Sequence, residues 1–348
     1  MKRLLGIAYF LSFLAGAVAL AGALPASEGR CEGQVRDQAG RMVPVAKPFV
    51  RIISLYGAHT ENLFALGADR SVVGVTRYDR YPPAAQGKPV FSYHDGLERF
   101  LAAAPDLVLI RPMIDRGYAP LVKGLEKSGV VVLSLQPGDI EEMMTYWHTL
   151  GCITGREAQA ERMVMAFQQA VAEFRALTST VRPRKRVYFE AIHQRMKTFT
   201  PGSMPIFALE TAGGVNIAAD ATQVRTTNIA YYGKERLLSR AAEIDVYLAQ
   251  RGAMNQPTLS LIRNEPGYDM IKAVKENQVH IIDEAIVSRP TWRLLHGIKA
   301  IGTILYPERF EANGARILER AAKARGAAAS EPFPDHSKAR ASHDETNR

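Results

Sequence analysis

The residues best suited to chemistry are arginines, tyrosines and histidines that gather where apolar runs end. In the first half of the chain they are Tyr56, His59, Arg77, Tyr78, Tyr93, His94 and Arg111; in the second half they are His193, Arg195, Phe199, Tyr231, Tyr232, Arg289 and Trp292. Guanidinium groups grip carboxylate, catecholate or propionate oxygens bidentately, and aromatic rings add apolar area and stacking. That chemistry is recognition of a bulky, anionic small molecule. Catalysis has less to stand on. The chain has no Gly-x-Ser-x-Gly elbow, no Walker-type phosphate loop, no His-Glu-x-x-His and no Rossmann glycine fingerprint. Gly202-Ser203 follows an apolar run, but Pro205 and the lack of a nearby base weaken it as a nucleophile. His59, His94 and His193 fall on the same loops, so ligation of a metal carried by the ligand stays open. No clustered carboxylates or His-x-x-x-His accompany them, so no dedicated metal site is expected. His148 and His296 lie on helical stretches and read as structural.

Such loops need a frame. Apolar runs at 51–55, 72–75, 107–110 and 130–135 alternate with helical stretches at 60–66, 97–103 and 121–127, with Thr60 placed as an N-cap and Glu61 in a first turn. The rhythm is βαβ, and the uninterrupted run Leu107-Val108-Leu109-Ile110 fits a strand buried on both faces of a parallel sheet. A helix is expected over 141–150. From Glu157 to Thr180 there is no Gly or Pro, and Met163, Phe167, Ala170, Val171, Phe174 and Leu177 recur at spacings of three and four. That is one long amphipathic helix, roughly 35 Å in length. The second half then loosely repeats the first: Arg186-Val187-Tyr188-Phe189 echoes Arg51-Ile52-Ile53-Ser54, and Glu235-Arg236-Leu237-Leu238 echoes Glu98-Arg99-Phe100-Leu101. The expected fold is α/β: two Rossmann-like lobes with parallel sheets joined by one long α-helix. The boundaries are a first lobe over 31–155 opening with a small hairpin at 35–45, a linking helix over 156–182, a second lobe over 183–320 and a disordered tail over 321–348.

The first 23 residues have their own logic. Lys2 and Arg3 precede an apolar stretch from Leu4 to Leu20, and Ala19-Leu20-Ala21 and Ala21-Gly22-Ala23 both fit a small-x-small cleavage site. This reads as a cleaved signal peptide, which places the mature chain in the periplasm, with an uncleaved membrane anchor as the alternative. Cys31 follows Glu28-Gly29-Arg30 rather than a Leu-x-small run, which argues against a lipid anchor. Cys31 and Cys152 are the chain's two cysteines, and in an oxidising compartment they either pair as a disulfide or remain two thiols. The formal charge is +9, but the positive residues are dispersed among acids, so no nucleic-acid partner is expected.

Several stretches carry a resemblance to a known family. They are Val35-x-Asp37-x-x-Gly40-Arg41-x-Val43-x-Val45, Thr60-Glu61-x-Leu63-Phe64-Ala65-Leu66-Gly67-Ala68, Val73-Gly74-Val75-Thr76-x-Tyr78, Leu97-Glu98 leading to Pro105-Asp106-Leu107, Ala212-Gly213-Gly214-Val215-Asn216, and Arg289-Pro290 before Tyr306-Pro307-Glu308. In this order and spacing the chain resembles the helix-linked (class III) periplasmic binding proteins of ABC importers for ferric siderophores, haem and cobalamin. The resemblance implies a monomer that is not an enzyme and carries no resident cofactor, any iron or cobalt arriving inside the ligand. It implies a cleft between the lobes that binds a small-molecule metal chelate, an iron complex first and cobalamin second. It also implies delivery to membrane permease subunits, with Glu98 and Glu235, one per lobe, docking against their arginines. A secreted hydrolase and a chaperone without a transporter are the readings from other classes.

Overall fold

The computed structural model describes residues 33–225 and 227–326. The expected signal peptide, Cys31 and the segment beyond Gly326 lie outside the described residues.

The first lobe opens with a hairpin, β1 (Gln34–Arg36) and β2 (Met42–Pro44), paired Val35 to Val43. Its turn is organised by Asp37, whose Oδ1 accepts from the backbone N–H groups of Ala39 and Arg41. The lobe's sheet has four parallel strands: β3 (Ile52–Ser54), β4 (Val72–Gly74), β5 (Leu107–Ile110) and β6 (Val131–Ser134), in the order β4-β3-β5-β6. The hairpin covers the open edge of β6: Gln38 N donates to Ser134 O at 3.0 Å, and Ser134 N to Asp37 Oδ2 at 3.0 Å.

Between and after the strands run α1 (Gly57–Ala65), α2 (Leu97–Ala102), α3 (Pro112–Gly117), α4 (Ala119–Lys127), α5 (Ile140–Thr154) and the linking helix α6 (Glu157–Leu177). Two expectations shift here. Helix α1 begins three residues early, with Tyr56 at its N-cap, so Thr60 is internal; its hydroxyl donates to Asp79 Oδ2 at 2.5 Å instead. Helix α5 runs straight through Gly151. A Cβ there would lie 2.6 Å from the Cβ of Ala160, so the glycine permits the close approach of α5 and α6 rather than ending the helix. Asp139 caps α5 through Glu142 N, and Gly155 ends it at φ +65°.

The second lobe is built on β7 (Arg186–Ile192), β8 (Lys197–Phe199), β9 (Val215–Asn216), β10 (Thr222–Gln223), β11 (Ile229–Tyr231), β12 (Val246–Arg251) and β13 (Val279–Asp283), in the order β10-β11-β8-β7-β12-β13 with β9 beside the start of β7. Strands β7, β12 and β13 are parallel. β8 is antiparallel, because the short turn at His193–Arg195, closed by Met196 at φ +48°, leaves no room for a crossover. The lobe's helices are α7 (Met204–Thr211), α8 (Lys234–Ser239), α9 (Leu259–Arg263), α10 (Lys272–Lys275), α11 (Glu284–Val287), α12 (Leu294–Leu305) and α13 (Pro307–Arg325).

The expected two-lobed α/β architecture is therefore present, with a mixed rather than purely parallel second sheet. One apolar core runs through both lobes around α5 and α6, built on Trp147, Phe167, Phe174 and Phe310. Phe174 and Phe310 stack at 5.9 Å, which fastens α13 along α6. That packing corrects the expected tail: α13 continues through Arg325, with Ala321 and Arg325 buried and the Arg325 guanidinium 4.8 Å above Trp292. Parallel strands bring their carboxyl ends, and the loops that follow, to one side of each sheet, where ligands of open α/β folds bind.

Candidate ligand cleft and docking rim

The candidate cleft is built from Tyr56, the residue after β3 and Leu55. Arg111, directly after β5, lays its guanidinium 4.6 Å over the Tyr56 ring. Its Nη2 donates to Met113 Sδ at 3.1 Å, while its Nε is buried without a hydrogen-bond partner. Among the described residues no carboxylate pairs with it. Burial pushes the Tyr56 phenol above its ordinary range, with Arg111 and Arg289 pulling the other way.

Arg289 enters from the second lobe. Its Nη1 lies 2.8 Å from where a Cβ on Gly57 would sit, so the glycine at the start of α1 is what admits the arginine. The same guanidinium donates to Glu61 Oε1 at 3.0 Å. Glu61 is nearly fully buried and also takes the fork of Arg293, at 2.8 Å from Nε and 2.6 Å from Nη2. Burial disfavours charge on Arg289, but Glu61, Tyr56 and Glu284 together outweigh it, so the Arg289 pKa is raised. Asn62 Nδ2 donates to Pro290 O at 2.9 Å, and Arg293 lies 4.4 Å over the ring of Tyr81. These contacts join the first lobe to the loop between α11 and α12 of the second.

In the loop after β4, Tyr78 is 68% exposed, with Arg77 5.6 Å from its ring. Tyr93, His94 and Tyr118 form an aromatic trio with centroids 4.6–5.0 Å apart. In the second lobe, Arg195 lies in the turn after β7 and Tyr231 ends β11, and both are exposed.

Five expected ligand residues are placed elsewhere. His59 is fully buried, its Nδ1 2.7 Å from Tyr146 Oη and its Nε2 3.0 Å from Ile110 O. Burial drives its pKa down to about 4. His193 is buried at the end of β7, its Nδ1 2.7 Å from Glu190 and its Nε2 3.7 Å from Glu265. Phe199 packs edge-on against Phe189. Tyr232 lies under Arg236 and against Tyr188, and Trp292 sits between Phe167 and Arg325. All five side chains face inward; His193 and Tyr232 each sit beside an exposed residue, Gln194 and Tyr231, and sequence alone did not say which of each pair faced outward.

Glu98 and Glu235 stand in the first turns of α2 and α8 and are exposed. Neither makes an ion pair with any described residue. Their basic neighbours are all engaged: Arg99 with Asp95 and Val90 O, Lys234 with Glu265, and Arg236 with Asp220. The two glutamates are thus left as uncompensated surface charges. The chain enters α2 after a parallel bridge between Val75 and Val90, and enters α8 after β11, which two antiparallel steps make parallel to β7. Both helices therefore start from the carboxyl edge of their sheets.

Glu61, Asn62, Asp79, Tyr81, Tyr118 and Arg293 belong to this region and were not among the ligand residues expected from sequence. Glu61 looked like an ordinary first-turn acid. Its partners are 228 and 232 positions away, and nothing local marks that pairing.

The model for the periplasmic binding protein family matches residues 52–286. The chain belongs to the periplasmic binding protein family. Among curated relatives, an ABC transporter substrate-binding lipoprotein of Bacillus subtilis is 24% identical over 283 residues, covering 80% of this chain and 86% of the relative. A vitamin B12-binding protein of Vibrio cholerae is 25% identical over 267 residues, covering 75% and 91%. Among solved structures, a possible iron-binding periplasmic solute-binding protein of Staphylococcus epidermidis aligns with TM-score 0.66 and 26% identity, over 75% of this chain and all of that one. The CeuE structure of Helicobacter pylori with nickel and histidine aligns with TM-score 0.65 and 20% identity over 86% and 97%, which speaks to the fold. Substrate binding for an ABC transporter fits this fold and cleft, and membership fits an extracytoplasmic location. No helix among the described residues is long and apolar enough to cross a membrane.

Proposed function

We propose that this periplasmic binding protein captures an anionic iron complex, a ferric siderophore or haem, between its lobes and delivers it to the permease subunits of an ABC importer. The observation that carries the ligand class is Arg111: a guanidinium stacked on Tyr56 at the cleft floor with no acidic partner among the described residues. A charge kept there without compensation favours a ligand that brings its own anion. Arg289 on the opposite lobe, with Arg77 and Arg195 at the lip, adds to the same sign. Cobalamin is the second reading, favoured by the Vibrio cholerae relative and by the aromatic trio at Tyr93.

Glu98 and Glu235 dock the two lobes onto the permease. Their exposure and lack of ion pairs support this, since a carboxylate already satisfied within the protein has less to offer a partner arginine. The protein works as a monomer, without nucleic acid, after cleavage of its signal peptide. Cys152 is disulfide-bonded, which favours Cys31, the chain's other cysteine, as its partner. A hydrolase is disfavoured by Ser203, which is buried and donates its hydroxyl to Thr200 O at 2.7 Å.

Titration of the purified protein with ferric enterobactin, hemin and cyanocobalamin, followed by intrinsic fluorescence, tests the reading. Saturable quenching by one of the two anionic complexes is expected. Indifference to all three, together with turnover of an ester or phosphate substrate, would replace it with an enzyme.

A further inference from the structure

Glu61 stands out because one buried carboxylate serves two guanidiniums from the other lobe. Arg293 uses its Nε and Nη2 to occupy both oxygens, at 2.8 and 2.6 Å, the fork geometry that fixes a pair most firmly. Arg289 adds a single bond, from Nη1 to Oε1 at 3.0 Å. Its side chain stays partly exposed, and no other hydrogen bond from its guanidinium to a described residue is present. Arg293 is further pinned over Tyr81, and Asn62 ties the adjoining backbone at Pro290. The groups facing Arg289 are Glu61 and Gly57 of α1, Asp79 near Gly57, Tyr56 and Glu284. Asp79 is already held by the hydroxyls of Thr60 and Thr76.

We propose that Glu61 and Arg293 are positioning residues: they form an interlobe strut that holds Arg289 at the cleft floor with its remaining N–H groups directed to an anionic group of the bound molecule. Arg293 neutralises Glu61, so Arg289 is oriented by the carboxylate yet keeps its charge for the ligand. Arg289 and Arg111 then face the ligand from opposite lobes, and the strut fixes their separation. This rests on the cleft reading above and adds residues that touch no ligand.

The sign of one substitution separates positioning from simple electrostatics. Removing a negative charge near an anion site should by Coulomb attraction alone tighten anion binding. If Glu61 acts through Arg289, Glu61→Gln instead weakens it, because the arginine loses its anchor. A double-mutant cycle reads this directly. Ferric enterobactin or hemin, whichever the full-length protein binds, should lose about tenfold affinity with Glu61→Gln and a similar factor with Arg289→Gln. The double variant should be no weaker than Arg289→Gln alone. Tightened or unchanged binding by Glu61→Gln, or additive losses, overturns the proposal. If Glu61→Gln does not fold, Glu61→Asp keeps the charge but shortens the reach, and the same non-additivity is required of it.

A ligand-free arm keeps the strut testable should none of the probes bind the wild type, an outcome that counts against the cleft reading. Nitroxide labels at Leu101→Cys and Ser239→Cys, one per lobe, should give one narrow distance distribution that broadens with Glu61→Gln. An unchanged distribution rejects the strut whatever the ligand result.

Discussion

Each lobe buries a histidine just beyond its first parallel strand, and the two are held in opposite ways. His59 follows β3. Its Nε2 faces a backbone carbonyl, which can only accept, so that nitrogen carries the proton and Nδ1 accepts from Tyr146 Oη. Burial and the nearby Arg111 keep the ring neutral. His193 follows β7, between Glu190 and Glu265, and the hydrogen bond to Glu190 is the main reason its pKa is raised. Tyr247 and Asn255 also bind Glu190, and Lys234 binds Glu265 at 2.7 Å next to the rim residue Glu235. The first lobe uses its histidine as a neutral tie between α1, α5 and β5, while the second sets its histidine between two acids in a polar network that reaches α8. Similar topology has been filled with different electrostatics, while Glu98 and Glu235 stand alike as exposed first-turn carboxylates, one in each lobe.

The largest expected effect tests that likeness. Glu98→Ala combined with Glu235→Ala should abolish uptake by whole cells while ligand affinity of the isolated protein stays within about twofold. Truncating a charge whose partner is desolvated costs ~2–5 kcal/mol. Normal uptake by the double variant would show that the rims do not dock. Next, His193→Leu should lower unfolding free energy by ~3–5 kcal/mol, since it removes the imidazole and leaves the buried Glu190 carboxylate with only Tyr247 and Asn255. His59→Leu should cost less, ~1–3 kcal/mol, because it strands only neutral groups. Equal losses in chemical denaturation would mean the two sites are not electrostatically distinct.

Acidity sharpens the contrast. For His59 the unfolded chain takes up a proton near 6.5 and the folded one only near 4, so the unfolded state binds more protons in that window. Stability is full above pH 6.5 and falls by about 3 kcal/mol as pH drops to about 4. His193 has the opposite sign: its contribution is complete below 6.5 and is lost as pH rises through its raised folded pKa. His59→Leu should flatten the acid limb of a stability-versus-pH curve and leave the alkaline limb alone. The smallest effect belongs to Tyr232→Phe. Its hydroxyl makes only a 3.4 Å contact to Ile217 O, so melting should shift by less than the equivalent of ~1 kcal/mol, with no change in ligand affinity. A large loss of affinity would put Tyr232 back in the cleft.

Much of the frame was legible because it is written locally. The apolar run at β5, the three-and-four spacing in α6 and the repeated Glu-Arg-x-Leu at α2 and α8 each report their own structure. The turn to antiparallel β8 was hidden, since it depends on Met196 adopting a positive φ. At the site, residue types were readable but facing was not. Tyr231 and Tyr232 are neighbours of one type, yet the first is 55% exposed and the second 3%. Glu61 was the hardest case, because its role exists only once α1 and the loop at 289–293 are brought together.

The central claim is that the cleft carries an anionic metal chelate gripped by Arg111 and Arg289 from opposite lobes. Native mass spectrometry of the protein released from the envelope of its source cells, grown with and without iron, tests this most directly. The account predicts a one-to-one, non-covalent adduct with a metal isotope signature that disappears in Arg111→Ala combined with Arg289→Ala. Bare protein under both growth conditions, a covalent adduct, or a chelate retained by the double variant would contradict it.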